Sequence, residues 1–169
     1  MKIITLFTSL FATVALMTPG AGHAQDLAHV NTQEILGEMP EVQQAQSKLE
    51  TFSKQLDKQY QQLQSEYMGK LDKYQSEAQT MAESVRGMRE EELAELQKRI
   101  QKFQQQAQTD VSKKRQQLLE PVLDKVEATI EKVAKQNGYK MVLDRSTGAV
   151  LYADESTDIT GKVKNELGL

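Results

Sequence analysis

This sequence predicts an α+β chain that is mostly α: a long antiparallel helical hairpin, or coiled-coil arm, attached to a small β body. Three observations carry that class. Apolar residues recur at steps of three and four from Val42 to Met88, and again from Leu93 to Val111 and from Leu118 to Val133, a glycine divides the run into near-equal halves, and short apolar segments suited to strands lie near its two ends. The 169 residues are 38% hydrophobic, 5% aromatic and lack Trp, thin provision for one globular core.

The first element is not part of the fold. MKIITLFTSLFATVALMTPGAGHA has Lys2 ahead of an apolar run from Ile3 to Met17, a break at Pro19-Gly20, and small residues at Gly22 and Ala24. These are the marks of a secretory signal peptide over residues 1–24, cut after Ala24, and the run is short for a membrane anchor. Removing it takes one base and no acid, so the mature charge is 20 minus 24, or −4. There is no cysteine, which excludes a disulfide scaffold, thiolate metal sites and a lipid-bearing Cys. Bacterial export to a periplasm fits this best.

DLAHV (Asp26 to Val30) reads as a strand. Asn31 caps a short helix with Glu34 three residues on, Gly37 interrupts it, and Pro40 suits the first position of the next helix, where a missing N–H costs nothing. From Val42 the stripe runs through 45, 49, 52, 56, 60, 63, 67, 71, 74, 78, 81, 85 and 88. Between Phe52 and Tyr74 its steps are 4-4-3-4-4-3, an eleven-residue repeat that favours a nearly straight or slightly right-handed coil. Gly87, followed by a run of acids, is the predicted tip, because acids favour a helix's first turn. The second stripe then passes Leu93, Leu96, Ile100, Phe103, Ala107, Val111, Leu118, Val122, Val126, Ile130 and Val133 and stops at Asn137-Gly138. Each helix of the arm would reach about 70 Å. Gly69 and Pro121 are the places to expect bending.

Tyr139 to Ser156, YKMVLDRSTGAVLYADES, reads as a two-stranded hairpin turning at Arg145-Ser146-Thr147-Gly148, with a short terminal helix capped by Thr157 or Asp158. DLAHV and this hairpin supply three strands, too little to bury by themselves, so association with further copies is expected.

LAHVNTQEIL, the Gln-rich hairpin, LLEPVLDKVEATIEKVAKQNGYKMVLD and VLYADESTDITGKV together resemble the Skp (OmpH-type) periplasmic chaperones over essentially the whole mature chain. The resemblance implies a homotrimer, with a β body from residues 25–39 and 122–169 of three copies and arms from residues 40–121 around a cavity that holds unfolded outer-membrane β-barrel proteins. It places Leu27, Val30, Met141, Val142, Leu143, Val150 and Leu151 in the trimer interface. It also brings lipopolysaccharide and anionic lipid into question as partners, against which the net acidity counts.

No catalytic, cofactor-binding or metal-binding set is predicted. His23 leaves with the signal, and His29 is expected to be a packed or surface residue of its strand. The Gly-Lys pairs at 69–70 and 161–162 lack the rest of a phosphate loop, and there is no nucleophile elbow, so no nucleotide is expected to drive the cycle. Client contacts are expected at Tyr60, Met68, Tyr74, Met81 and Met88, since flexible and amphipathic side chains repack around varied partners. The competing reading is that most of these fill the seam of the arm, Met68 and Met88 excepted. Lys98, Arg99 and Lys102 belong to a band, Gln97 to Gln116, with six bases against one acid. It would either attract acidic clients or pair with Glu66, Asp72 and Glu77 across the arm. Nucleic acid is not an expected partner. From a different class, a structural coiled-coil spacer or scaffold of the cell envelope fits the same arm.

Overall fold

The structure, a computed structural model, describes residues 27–169, so the predicted signal peptide and its cleavage site lie outside the described residues. Strand β1 (Leu27–Val30) leads into helices α1 (Thr32–Glu38), α2 (Pro40–Glu77) and α3 (Glu83–Gln136). Strand β2 (Met141–Asp144), two single 3₁₀ turns (Arg145–Thr147 and Glu155–Thr157) and helix α4 (Thr160–Leu167) complete the chain.

The helix ends follow local chemistry. Asn31 accepts a hydrogen bond from the N–H of Glu34 and so caps α1, and Pro40 opens α2. Helix α3 ends at Asn137, after which Gly138 takes φ +76°, the left-handed conformation that favours glycine. Helix α2 runs unbroken through Gly69, and α3 through Pro121.

Helices α2 and α3 form the antiparallel arm. Cross-arm partners Glu41 and Lys125, Phe52 and Lys114, Tyr60 and Gln104, Lys70 and Glu92, and Tyr74 and Glu90 are all centred between residues 81 and 83. The tip is therefore residues 78–82, which corrects the expected turn near Gly87: Gly87 lies inside α3. At the real tip the Glu77 carbonyl accepts from the Thr80 hydroxyl at 3.0 Å and from the N–H groups of Thr80 and Met81 at 2.9 and 3.1 Å, so the last turn of α2 closes on one oxygen before the chain leaves the helix. One internal glycine costs only about 1 kcal/mol, less than abandoning the register of two facing stripes. The first stripe accordingly ends at Met81, and Val85 and Met88 lie exposed on the opposite helix. With 38 residues, α2 spans about 57 Å, shorter than expected, while the end of α3 is committed to the body.

Within the body, β1 and β2 pair in parallel, Leu27 opposite Met141 through Val30 opposite Asp144. Parallel neighbours need a long crossover, and here the whole arm is that crossover. The predicted hairpin does not form. Asp144 closes the turn over Arg145–Thr147 by accepting from the Ser146 N–H, Gly148 turns the chain at φ +75°, and Ala149–Tyr152 finds no ladder partner among the described residues. The chain instead crosses to the far edge of β1, where Asp158 bridges His29 in parallel and the Ile159 N–H donates to the His29 carbonyl at 2.9 Å. Val30, Ile35, Met39, Ile159 and Val163 are fully buried there against Val122, Val126 and Val133 of α3. Val122, next to Pro121, is the first residue of α3 in this buried cluster.

Candidate functional site

The arm is a seam of two helices over which nothing is laid among the described residues. Phe52, Leu56, Tyr60, Leu63, Tyr67, Leu71 and Tyr74 all face inward, yet only Leu63 is buried; the others stay part-exposed. A two-helix layer cannot bury an apolar stripe from both sides, so most seam residues keep an edge in solvent. Tyr60 lies half-buried, its hydroxyl accepting from Gln64 at 2.6 Å and Gln104 at 2.7 Å. Tyr74 donates its hydroxyl to Glu90, which favours the protonated phenol and raises its pKa. Met81 is part-buried at the tip, whereas Met68 and Met88 are 60% and 65% exposed.

Of the expected contact residues, the structure gathers two groups and leaves three apart. Tyr60 and Met68 share a groove of about 290 Å³ with Gln64, Tyr67, Gln97, Ile100, Gln101 and Gln104. Lys98, Arg99 and Lys102 line another groove, with Glu66, Lys70, Glu92 and Glu95. Tyr74, Met81 and Met88 join neither. Among the described residues, none of Lys98, Arg99, Lys102, Lys113 and Arg115 forms an ion pair, and Lys114 instead stands over the Phe52 ring at 5.8 Å. Glu66 approaches Lys70 at 4.0 Å, so the cross-arm neutralisation by Glu66, Asp72 and Glu77 is not what forms. Lys70 meets Glu92 instead, and with Arg89 at 2.9 Å it holds the Glu92 carboxyl below the usual range.

A third groove, of about 320 Å³, was not read from the sequence. Val42, Ala45, Gln46, Leu49, Arg115, Leu118 and Leu119 line it where the arm meets the body. Its signal was the pair Leu118-Leu119: neighbours about 100° apart cannot both point into one narrow seam, so the apolar face must widen there.

The body presents an apolar face of its own. Leu27 and Met141 stand side by side in register, both about half exposed, and Leu143 follows on the same face. Leu151 is 97% exposed, Tyr152 nearly as open, and Val142 and Val150 are part-buried. Val30 is a correction: it points into the chain's own core and offers no surface to a partner. The free edge of β2 is unpaired among the described residues, an arrangement that invites another strand. His29 is buried, its Nε2 3.1 Å from the Asp154 carbonyl oxygen and its Nδ1 3.8 Å from the Asp158 carboxylate. Among the described residues no three His, Asp or Glu converge as metal ligands, and no helix is long and apolar enough to cross a membrane.

Comparison with known proteins agrees with this architecture. The fold superposes on the crystal structure of a candidate outer membrane chaperone (OmpH-like) from Caulobacter crescentus with a TM-score of 0.74, at 18% identity, covering 86% of this chain and 85% of that one. No curated protein matches the sequence. The family described as outer membrane protein (OmpH-like) matches residues 26–167. An arm of two long helices on a small mixed body, matched to that family over nearly all of its described length, means that the chain belongs to the OmpH-like family.

Proposed function

We propose that the mature chain is a periplasmic holdase that needs no ATP: it holds unfolded outer-membrane β-barrel proteins between helical arms, keeps them from aggregating, and releases them by equilibrium binding. The observation that carries this reading is the unfilled arm. Its apolar seam is open along its length, and three grooves of a few hundred Å³ run beside it, each large enough for one or two side chains and none a deep pocket for a small molecule. Weak contacts of that kind become tight when several on one scaffold act on the same polymer, and each still lets go quickly. Met68 and Met88 supply adaptable apolar contact, and the ion-pair-free Lys98, Arg99 and Lys102 attract acidic stretches.

The cage is completed by a homotrimer in this reading. Leu27, Met141 and Leu143 are exposed together on one face of the sheet, Leu151 is exposed in the segment that follows, and the outer edge of β2 is open among the described residues. A neighbour's strand on that edge would cover both features and set the arms around a common space. The test is to dilute a urea-unfolded outer-membrane protein into buffer with and without the purified mature chain and follow light scattering. Suppression at about one trimer per client is expected; undiminished scattering would favour the spacer or scaffold role instead.

A further inference from the structure

Helix α3 carries a second stripe, on the side away from Leu93, Leu96, Ile100 and Phe103. Ser84, Met88, Glu91, Glu95, Lys98, Lys102, Gln105 and Thr109 follow one another at steps of 4-3-4-3-4-3-4, and all eight are exposed. At about 100° per residue they fall within roughly a 100° sector, the surface one helix offers to another in a coiled coil. Such a stripe repeats itself when reversed about the point between Leu96 and Gln97. Under that two-fold operation Glu91 meets Lys102 and Glu95 meets Lys98, each contact made twice, while Met88 meets Gln105. None of the four charges forms an ion pair within the chain among the described residues, although Glu95, Lys98 and Lys102 share one groove.

We propose that this stripe is a self-complementary interface by which two copies pair their arms in opposite directions. The outer half of α3, acids toward the tip and bases toward the body, matches its own reverse, so a second copy of this chain is the occupant whose charge fits it. The two-fold point lies about 20 Å from the start of α3, so the arms overlap by about 40 Å and their bodies sit at opposite ends. Arms that hang side by side from one body run parallel and set Glu91 against Glu91. The pairing therefore joins separate assemblies, and it is held by exposed charges that salt screens. It stands independently of the client-holding reading, although it would occupy Lys98 and Lys102 and so compete with acidic clients.

The test uses the mature chain without client. Sedimentation velocity at 50 mM salt is expected to show a species of twice the mass of the one that persists at 500 mM salt. The double substitution Glu91→Lys with Glu95→Lys should raise the dissociation constant of that larger species by at least about tenfold, since four attractions become repulsions. Adding Lys98→Glu and Lys102→Glu to the same chain should restore it. Because the chain has no cysteine, Met88→Cys and Gln105→Cys chains can be mixed and oxidised. A disulfide between 88 and 105 is expected. Cross-linking of 88 only to 88, a mass unaffected by salt, or failure of the fourfold swap to restore pairing while circular dichroism shows intact helices would each overturn the proposal.

Discussion

Asp144 ties the start of the described fold to its distant strand, and replacing it measures how the body is locked. Its carboxylate accepts four hydrogen bonds: from the Thr32 N–H at 3.3 Å and hydroxyl at 2.5 Å, and from the Ser146 N–H and hydroxyl at 2.9 Å each. Burial pushes the carboxyl up, but the Thr32 and Ser146 donors together outweigh burial and hold its pKa below the ordinary value. A hydrogen bond to a charged group contributes roughly 1.5–3 kcal/mol when buried. In Asp144→Ala the freed donors at this part-exposed site partly turn to water, so the net loss expected at pH 7 is about 2–3 kcal/mol rather than the sum. Urea unfolding, read alongside hydrogen exchange of residues 27–32 and 141–146, would measure it. The sign with pH follows from the depressed native pKa: the contribution is present above the unfolded-state value and is lost as pH falls through the lower native one. The gap between wild type and Asp144→Ala should therefore be constant from pH 7 to about 5 and narrow below about 4. A loss under about 0.5 kcal/mol at pH 7, or a gap that does not move between pH 6 and 3, would refute the reasoning.

Two further substitutions separate the tip from the body. Gly87→Ala adds a Cβ that meets nothing within 4 Å inside a helix, so it should stabilise the arm by about 0.5–1 kcal/mol in thermal melts; a loss would restore the turn to Gly87. Leu143→Asp leaves the protomer core untouched because the side chain is exposed, and should dissociate the proposed trimer in sedimentation equilibrium while helical content is kept. Retained assembly would remove Leu143 from the interface.

The helices were legible because their signal is periodic and local. The stripe from Phe52 to Tyr74 is the inner face of α2, and Asn31, Pro40 and Gly138 act as local chemistry requires. The tip was misplaced because Gly87 is a weak local signal, whereas the register that fixes the turn is a relation between two stripes some forty residues apart. The sheet was misread for a related reason. Ala149–Tyr152 has strand-like composition, but the turn at Asp144–Gly148 sends the chain across to bring Asp158 to the far edge of β1, so β2's second edge stays unpaired among the described residues. Of the candidate site, Met68 and Met88 were singled out by standing beside or at the end of the regular stripe, and both are exposed. The arm-root groove was missed because it needs Leu118 and Leu119 to be seen against Val42 and Leu49, residues from the other helix.

The parallel pairing of Leu27 with Met141 sets an order of events for a newly made chain. Helical turns close over a few residues and need no distant help, so the limbs can form while the polypeptide is still emerging. The sheet must wait for more than a hundred residues, and the Ile159 plug arrives later still, so the platform closes only after the last dozen residues appear. Truncation near the carboxyl end should thus leave nascent limbs without a root.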